Sequence, residues 1–418
     1  MIPIAKPILG ESEARAARKA ILSGWVTQGP RVKEFEERFA AYVGAKYACA
    51  VSSCTTALHL ALKATGVGPG DVVITLSHSF IATANAVRYC FAEPVFVDIA
   101  AGSFNISAAA LEKCLREDCE LKNGELFYKN ILNLARGESP LRYLSKYGRG
   151  VKPGRVAVIM PVHQMGMPCD LNAVLRLARK FKLPVIEDAA CAIGSEVFVE
   201  SSDSWERIGR PHGEIACFSF HPRKVITTGD GGMLTTNNPE YDRKFRLLRQ
   251  HGMSVSDVAR HASKKVVIEE YITTGYNYRI TDIQAAVGIE QLKRLPGIIW
   301  ERRAKAAIYC RKLKDIRWLK APVEPEYCRS NWQSYPVKVL SDAPVSRNEL
   351  MQFLLDAGIS TRRGIMNAHQ EKAYGHNTRF ELKESESARD STILLPLFPG
   401  MKEQEINKII RAIKKIRR

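Results

Sequence analysis

A lysine in a loop that directly follows an apolar run is the first candidate for chemistry in this chain. In CFSFHPRKVITTGDGG the run ends at Ser219, and Lys224 comes five residues later, just before the glycine-rich TTGDGG. In α/β proteins ligands bind beyond the carboxyl ends of the strands, where an amine can form a Schiff base with a carbonyl compound. A loop lysine taken alone is usually a solvated charge, so this assignment depends on what accompanies it.

Two other segments place suitable groups after predicted strands. PVIEDAACAIG ends a strand at Asp188, and a partly buried carboxylate there needs a cationic partner. VSSCTTALHLAL is typical of a strand followed by small hydroxylated residues that open a helix. The free N–H groups of such a helix start form a site for a phosphate.

A lysine, a carboxylate and a phosphate site are together what pyridoxal 5'-phosphate requires. The lysine holds the aldehyde as a Schiff base, and the carboxylate keeps the pyridine nitrogen protonated so that the ring accepts electrons. An aromatic ring stacked on the pyridine would complete the site, and Phe80 in LSHSFIATANA follows another predicted strand end. Its spacing is equally compatible with a core residue.

Short β-prone runs alternate with helical patterns between about residues 45 and 236. The runs include YACAV, VVITL, PVFVDI, VAVIMPV, PVIEDAA and IACFSF, and they are separated by stretches such as TTALHLALKA and LNAVLRLARKF. This alternation predicts a mostly parallel sheet with helices on both faces. Residues 117–155, rich in Lys, Arg, Gly and Glu, interrupt it and are interpreted as an insertion.

The pattern changes past Pro296. A polar helix, WERRAKAAIYCRKLK, precedes a strand-like QSYPVKVL and a helix that begins at a Ser cap and stops at Gly358. The last helix, KEQEINKIIRAIKKI, carries one stripe of isoleucines. We therefore predict an N-terminal segment and a large α/β domain over residues 1–295, with residues 117–155 as the insertion, and a small α+β domain over residues 296–418.

Composition excludes several classes of protein. The chain has 418 residues, of which 45% are hydrophobic and 25% charged, which excludes a disordered or collagen-like chain. The sequence predicts neither a signal peptide nor a membrane span. Its ten Cys form no CxxC pair and its nine His lack zinc-type spacing, so we expect a reduced, cytoplasmic protein without a metal site.

The net charge of +18 suits an anionic partner. It is densest in the C-terminal KIIRAIKKIRR and between Lys122 and Arg155. The sequence has no RNP, zinc-finger or basic-zipper pattern that would focus this charge on a nucleic acid. We expect no nucleic-acid or membrane partner, and a phosphate-bearing small molecule suits the charge equally well.

Taken in order, the motifs resemble the DegT/DnrJ/EryC1/StrS family of pyridoxal-phosphate-dependent sugar aminotransferases. They are SGWVTQGPRVKEFEERFAAYVGA, SSCTTALHLAL, SFIATANAV, PVHQMGMPCDL, EDAACAIG, CFSFHPRK with TTGDGG, and GYNYRITDIQAAVG. Each motif is weak alone, but together they are specific and cover nearly the whole chain. The resemblance implies a fold-type I aminotransferase with a mostly parallel seven-stranded sheet in its large domain, and a homodimer.

The resemblance also assigns residues to the site. It implies that Lys224 forms the internal aldimine and that Asp188 is the pyridinium partner. The implied cofactor contacts are Cys54, Thr55, Phe80, His163, Ser219 and Asn277, of which Asn277 reaches the phosphate of the neighbouring subunit. The predicted substrate residues are Thr27, Gln28, His221, Arg362, Arg363 and His369, although solvated charge is the ordinary interpretation of the last three.

One cofactor contact departs from the family pattern. Cys191 stands where many members carry Gln or His after EDAA, so a polar contact near the cofactor is in doubt. A tolerated small residue is the simpler interpretation.

The leading functional hypothesis is amino transfer through the Lys224 aldimine. By resemblance, glutamate or glutamine converts the cofactor to pyridoxamine 5'-phosphate, which then aminates a nucleotide-linked keto-deoxysugar. A keto-cyclitol is an alternative acceptor. A sugar dehydratase of the same superfamily is disfavoured because those relatives carry His in place of the lysine. A non-catalytic regulator or nucleic-acid-binding protein is disfavoured because the lysine, carboxylate and phosphate site are all present.

Overall fold

The computed structural model of the chain describes residues 1–147, 151–255, 260, 263–376 and 380–416. The described helices are α1 Glu11–Leu22, α2 Pro30–Val43, α3 Cys54–Ala64, α4 Ala82–Tyr89, α5 Ala108–Lys113, α6 Leu171–Phe181, α7 Pro239–Leu248, α8 Asp282–Leu313, α9 Arg347–Asp356, α10 Lys383–Ser391 and α11 Glu403–Lys414. The described strands are β1 Tyr47–Val51, β2 Val72–Leu76, β3 Glu93–Val97, β4 Cys119–Lys122, β5 Glu125–Tyr128, β6 Val156–Met160, β7 Ile186–Asp188, β8 Glu196–Val199, β9 Ser204–Arg207, β10 Ile215–Ser219, β11 Gly232–Thr236, β12 Leu319–Lys320, β13 Cys328–Arg329, β14 Tyr335–Val339, β15 Arg362–Arg363 and β16 Thr392–Leu395.

A seven-stranded sheet forms the centre of the large domain. The ladders β3-β2-β6 and β7-β10-β11-β1 are joined by parallel bridges between β6 and β7, at Ile159–Val185 and Val162–Asp188. Within this sheet β11 alone runs antiparallel to its neighbours, β10 and β1. The mostly parallel sheet predicted from the alternation is confirmed.

Helices cover both faces of this sheet, because alternate strand residues point to opposite sides. On β2, Ile74 lies in the core that contains Phe39 of α2, whereas Val73 lies in the core that contains Leu58 of α3. A strand buried on both faces must be apolar along its whole length, which is why VVITL shows no polar alternation. The carboxyl ends of the strands therefore remain as the open edge for a ligand.

The small domain contains the antiparallel sheet β12-β14-β16-β15. Its core takes in the isoleucine stripe of α11, including Ile406, Ile409 and Ile413, together with Tyr335 of β14. The N-terminus also joins this domain, because Ile2 bridges to Ile359 and lies in the same core. The predicted division grouped this N-terminal segment with the large domain over residues 1–295.

The long helix α8 runs without interruption across the predicted domain boundary at residues 295 and 296. Pro296 lies inside it, and the predicted polar helix from Trp300 is its second half. Leu295 and Ile299 pack into the large-domain core, whereas Ala306 and Tyr309 pack into the small-domain core. A proline removes one hydrogen bond from a helix, and the packing of α8 on both cores offsets that loss.

The predicted insertion has structure of its own. It contains the β4–β5 hairpin and 3-10 turns at Ile131–Leu134 and Pro140–Tyr147, and its residues 148–150 lie outside the described part of the chain. Gly154 N–H donates to the carbonyl of Gly70 in the large domain at 2.8 Å, and Glu138 N–H donates to the carbonyl of Ala373 at 2.9 Å. The insertion therefore contacts both the large domain and the small-domain segment near residue 373.

Two observations bear on the expected cellular context. All ten cysteines are free thiols in the structure. None of the helices in the described ranges is long and apolar enough to cross a membrane.

Candidate active site

The predicted site residues converge at the carboxyl ends of the central strands. Asp188 ends β7, Ser219 ends β10, and Lys224 lies in the loop after β10. Asp188 pairs with Cys217 of β10, and Cys54 of α3 lies in the same core cluster as Cys217. Nζ of Lys224 lies 3.0 Å from Sγ of Cys191, three residues after Asp188, so α3, β7 and this loop meet at one place. The parallel strand order brings these ends to the same edge of the sheet.

The Lys224 amine points at a thiol. Its Nζ donates to Sγ of Cys191 at 3.0 Å, and both side chains are partly buried. Burial lowers the pKa of Lys224, but Cys191, Cys54 and Asp188 raise it by more, so that the pKa lies above its ordinary value. Cys191, the departure from the family pattern, is thus in direct contact with the lysine.

The Asp188 carboxylate is buried and already accepts two hydrogen bonds. Its Oδ2 accepts from Oγ1 of Thr83 at 2.7 Å, and its Oδ1 accepts from the N–H of Ala190 at 3.2 Å. Burial raises the pKa of Asp188 above its ordinary value, although Thr83, Ala190 and Lys224 each lower it. Two carboxylate oxygens have about four acceptor positions, so Asp188 can still accept from a protonated ring nitrogen.

The start of α3 offers N–H groups to an anion. Ser53 caps the helix by accepting from the N–H of Thr56 at 3.1 Å. The preceding N–H groups, of Cys54 and Thr55, belong to the first turn and have no partner within the helix. A Cβ on Gly232 would lie 2.4 Å from the Ser53 carbonyl oxygen, so a glycine is required where β11 passes this helix start.

Phe80 is not a core residue. Its side chain is 63% exposed, on the turn between β2 and α4. It lies between Ser79 and Thr83, and Thr83 contacts Asp188. Of the two interpretations that the spacing allowed, the core residue is excluded, and an aromatic ring is available at the edge of the site.

Both ring nitrogens of His163 are hydrogen-bonded within the protein. Its Nδ1 accepts from the N–H of Cys169 at 3.1 Å, so its Nε2 carries the proton and donates to Oε2 of Glu187 at 3.0 Å. The ring is fully buried. The predicted cofactor contact therefore cannot be a hydrogen bond from this imidazole, because both ring nitrogens have partners.

The segment that contains Thr27 and Gln28 is held by the start of α8. Thr27 accepts at its carbonyl from the N–H of Asp282 at 2.9 Å, and the Asp282 carboxylate accepts from Gly29 N–H at 2.8 Å. The Thr27 side chain is exposed, whereas Oε1 of Gln28 is buried without a hydrogen-bond partner. An unpaired buried acceptor is costly unless a ligand or water supplies a donor.

The other predicted substrate residues differ in their surroundings. Arg362 and Arg363 are exposed on β15, and His221 is partly buried, with Nδ1 accepting from the N–H of Arg223 at 3.2 Å. His369 is only 1% exposed; its Nδ1 bonds Oγ of Ser77 at 2.6 Å and its Nε2 lies 3.2 Å from Oε1 of Glu386. The prediction that His369 faces the substrate is therefore corrected, because no ring nitrogen is left for a ligand.

The structure adds residues that the sequence did not single out. Thr83 holds Asp188, and its signal was the hydroxyl pair Ser79 and Thr83, four residues apart at a helix start. Asn331 donates through Nδ2 to the carbonyls of Cys191, at 2.8 Å, and Ile193, at 2.9 Å. No spacing in the sequence links Asn331 to these carbonyls, since they lie in a different domain.

The donor set fits pyridoxal 5'-phosphate. Lys224 supplies an amine for the aldehyde, Asp188 an acceptor for the ring nitrogen, and the first turn of α3 supplies N–H groups for the phosphate. In the described ranges no cluster of three His, Cys, Asp or Glu side chains could hold a metal ion.

Comparison with known proteins gives concordant results. The sequence model of the DegT/DnrJ/EryC1/StrS aminotransferase family matches residues 7–121 and 148–414. The internal unmatched segment, residues 122–147, falls inside the predicted insertion.

Individual relatives match over their full length. The spore coat polysaccharide biosynthesis protein SpsC of Bacillus subtilis is 33% identical over 420 residues, which cover 99% of this chain and 97% of SpsC. The aminotransferase TlmJ of Streptoalloteichus hindustanus superposes with a TM-score of 0.81 at 30% identity, over 99% of this chain and 98% of TlmJ. PseC of Helicobacter pylori, an aminotransferase involved in the biosynthesis of pseudoaminic acid, superposes with a TM-score of 0.81 at 25% identity, with the same coverage.

Proposed function

The chain belongs to the DegT/DnrJ/EryC1/StrS aminotransferase family and is a pyridoxal-phosphate-dependent transaminase, and on this basis we propose that it transfers an amino group from glutamate or glutamine to a nucleotide-linked keto-deoxysugar. The observation that carries the proposal is the convergence of Lys224, Asp188 and the open start of α3 at one edge of the sheet. Support for a sugar comes from SpsC and PseC, whose names refer to polysaccharide and pseudoaminic acid biosynthesis.

When bound, pyridoxal phosphate supplies an aldehyde that links to amino groups and a protonated ring that withdraws electrons from the reacting carbon. In this chain Lys224 would hold the aldehyde and Asp188 the ring nitrogen. The Cys54 and Thr55 N–H groups, with the Ser219 hydroxyl, would hold the phosphate. The Cys54 side chain is buried, so its contribution would come from the main chain.

Lys224 has a second task, as a proton carrier. When it is not bonded to the cofactor, Nζ of Lys224 could accept a proton from the carbon that bears the donor's amino group and return it to the neighbouring carbon. Such a base needs a partner that holds it within reach when it is not bonded. Sγ of Cys191, 3.0 Å from Nζ in this structure, supplies that partner.

Anionic and hydroxyl-rich substrates suit the surroundings of the site. The chain carries a net charge of +18, and Arg362 and Arg363 are exposed. We propose that the unpaired Oε1 of Gln28 accepts a hydrogen bond from a hydroxyl of the sugar. A keto-cyclitol would satisfy Gln28 equally but would not use a basic surface for a diphosphate.

We further propose a cytoplasmic homodimer in which Asn277 reaches the partner's phosphate site. Asn277 is exposed, next to Tyr276 and Tyr278, and the preceding segment exposes Ile268 and Tyr271. Exposed apolar side chains close together in the chain are typical of an interaction surface. The ten free thiols are compatible with a reducing compartment.

The two half-reactions can be tested separately. With cofactor bound, glutamate or glutamine alone should remove the visible absorbance of the cofactor, and a nucleotide-linked keto-deoxysugar should restore it. Lys224→Ala should show neither change, whereas Lys244→Ala, a lysine that donates to the carbonyl of Ala64 and lies over the ring of Tyr241, should behave as wild type. Restoration by a keto-cyclitol and not by any nucleotide sugar would contradict the proposed acceptor.

A further inference from the structure

Three polar side chains form a continuous buried chain that ends on the Asp188 carboxylate. Oγ of Ser79 lies 2.7 Å from Oγ1 of Thr83, and Oγ1 of Thr83 lies 2.7 Å from Oδ2 of Asp188. All three residues are buried, with Thr83 only 2% exposed. The chain joins the turn after β2 to the end of β7, two elements that flank the site.

The direction of these hydrogen bonds follows from the protons available. An ionised carboxylate has none, so the single hydroxyl proton of Thr83 must point to Asp188. Thr83 can then only accept from Ser79, which must donate. Both hydroxyl dipoles therefore point their positive ends toward Asp188, and such aligned hydrogen bonds polarise and strengthen one another.

The Ser79 end of this series of hydrogen bonds lies next to two contacts with the small domain. Ser77 bonds Nδ1 of His369 at 2.6 Å, and His78 bonds Oδ1 of Asn367 through its own Nδ1 at 2.9 Å. Ser79 follows directly, so its position is set by contacts on both sides of the domain junction. Ser79 is buried, so its hydroxyl bonds Thr83 and not solvent.

We propose that Thr83 is a positioning residue for the transaminase reaction: oriented by Ser79, it holds the Asp188 carboxylate ionised and in a single orientation. This role deepens the proposed function and rests on it, because it requires that Asp188 pairs with the ring nitrogen of the cofactor. In agreement, burial raises the pKa of Asp188, and the hydrogen bond from Thr83 is the largest influence that lowers it. Without the Thr83 hydroxyl, burial would raise the pKa of Asp188 further.

Other titratable groups also act on Asp188 and stay unchanged in the test. They are Lys224 in the loop after β10 and His163 after β6. Two further thiols face Asp188, which raises the pKa of each: Cys54 at the start of α3 and Cys217 on β10. A change confined to Thr83 variants can therefore be assigned to its hydroxyl.

The test compares Thr83→Val, which removes the hydroxyl at nearly constant shape, with Thr83→Ser, which keeps it. Thr75→Val is the matched control, because Thr75 is equally buried and its hydroxyl donates only to the carbonyl of Met160, at 2.7 Å. Binding of pyridoxal phosphate is measured by equilibrium dialysis, and the absorbance of the bound cofactor is titrated with pH. Thermal unfolding of each variant reports its stability.

Thr83→Val should bind the cofactor several-fold more weakly, because the Asp188 carboxylate is then less firmly held in the form and orientation that pairs with the ring nitrogen. Its acid-side absorbance midpoint should move to higher pH, because Asp188 then takes up a proton more readily. Thr83→Ser should stay close to wild type, and Thr75→Val should change stability without moving the midpoint.

An unchanged midpoint and affinity in Thr83→Val, or an equal change in Thr75→Val, overturns the positioning role. Should Thr83→Val fail to fold, Ser79→Ala decides: a smaller shift in the same direction supports the role, and none overturns it. Asp188→Asn distinguishes a failure of the role proposed for Thr83 from a failure of the role proposed for Asp188. If it also leaves binding and absorbance unchanged, the assignment of Asp188 itself fails; if Asp188→Asn alone has an effect, only the role of Thr83 fails.

Discussion

Nζ of Lys224 donates a hydrogen bond to Sγ of Cys191, 3.0 Å away, across the edge of the central sheet. The two residues come from the loops after β10 and β7, and the carbonyl of Cys191 is itself held by Asn331 at 2.8 Å. A segment that leads into the small-domain strand β14 therefore supports the contact between the lysine and the thiol. A thiol is a weak acceptor, which leaves the amine free to exchange it for another partner.

This contact predicts that alkylation of Cys191 blocks cofactor loading. Iodoacetamide on cofactor-free protein should add a group beside Nζ of Lys224 and abolish the visible absorbance that pyridoxal phosphate otherwise produces. Prior loading should slow the alkylation. Cys191→Ser should load normally after the same treatment, whereas Cys310→Ser, which removes the other partly buried thiol, should stay sensitive. Loading that survives complete alkylation of Cys191 would contradict the placement of the thiol beside the reactive amine.

Replacing Asp188 tests the electronic role of the carboxylate. Asp188→Asn should lower kcat by at least about 100-fold while retaining part of the cofactor, because a neutral amide cannot hold the ring nitrogen protonated. The control is Asp170→Asn: Asp170 caps α6 by accepting from the N–H of Ala173 at 3.0 Å, a task that Asn performs equally well. Steady-state kinetics of both variants decide, and equal kcat values would remove Asp188 from its role.

A buried ion network holds the N-terminal part of the large domain and should dominate its acid stability. Glu36 of α2 accepts from Arg249, from Arg246 at 2.8 Å and from the N–H of Ala50 at 2.9 Å. Glu36→Gln should lower the free energy of unfolding by about 3 kcal/mol at pH 7, since it leaves buried arginine charge without its partner. The exposed control Glu240→Gln should change it by less than about 1 kcal/mol.

The pH dependence of this effect has a definite sign. Burial raises the pKa of Glu36, but Arg249 and Arg246 lower it by more, so its folded-state pKa lies below the ordinary value of 4.5. Its stabilising contribution is therefore complete above the unfolded-state pKa and is lost as the pH falls through the folded-state pKa. Urea unfolding should show the difference between wild type and Glu36→Gln at pH 7 and a smaller one below pH 4.5. A difference that grows on acidification would contradict the lowered pKa.

Mixing two inactive variants tests whether the sites are shared between subunits. Lys224→Ala and Asn277→Ala should each be nearly inactive alone. In a shared-site dimer, exchange places both lesions in one site and leaves the other intact, so activity should return to a sizeable fraction. If Asn277 serves its own chain, every site keeps one lesion and no activity returns, even when mass spectrometry demonstrates exchange.

Several parts of the site could be predicted from short stretches of sequence. Lys224, Asp188 and the start of α3 each follow an apolar strand, and the ends of parallel strands meet at one edge whatever the details of packing. Strand periodicity and helix capping are local properties, so Ser53 could be recognised as the start of a helix without knowledge of the fold.

The hydrogen-bond partners of buried side chains could not be predicted from the sequence. His163 and His369 were predicted to face ligands, yet each uses both ring nitrogens within the protein, and the Ser77 that holds His369 lies 292 positions away in the chain. The sequence does not predict the hydrogen bond of Thr83 to Asp188, because the two residues lie 105 positions apart. No periodicity encodes such pairs.

The sequence alone thus determined the order of strands and helices, the family resemblance, and which strand ends carry the amine, the carboxylate and the phosphate site. Only the tertiary structure decided which polar side chains are already hydrogen-bonded, as His163 is to Glu187, and which keep an acceptor without a hydrogen bond, as Gln28 does at Oε1. The physical reason is that a strand or a helix start is set by its own residues and their immediate neighbours, whereas the state of a buried donor or acceptor is set by whichever distant group packs against it.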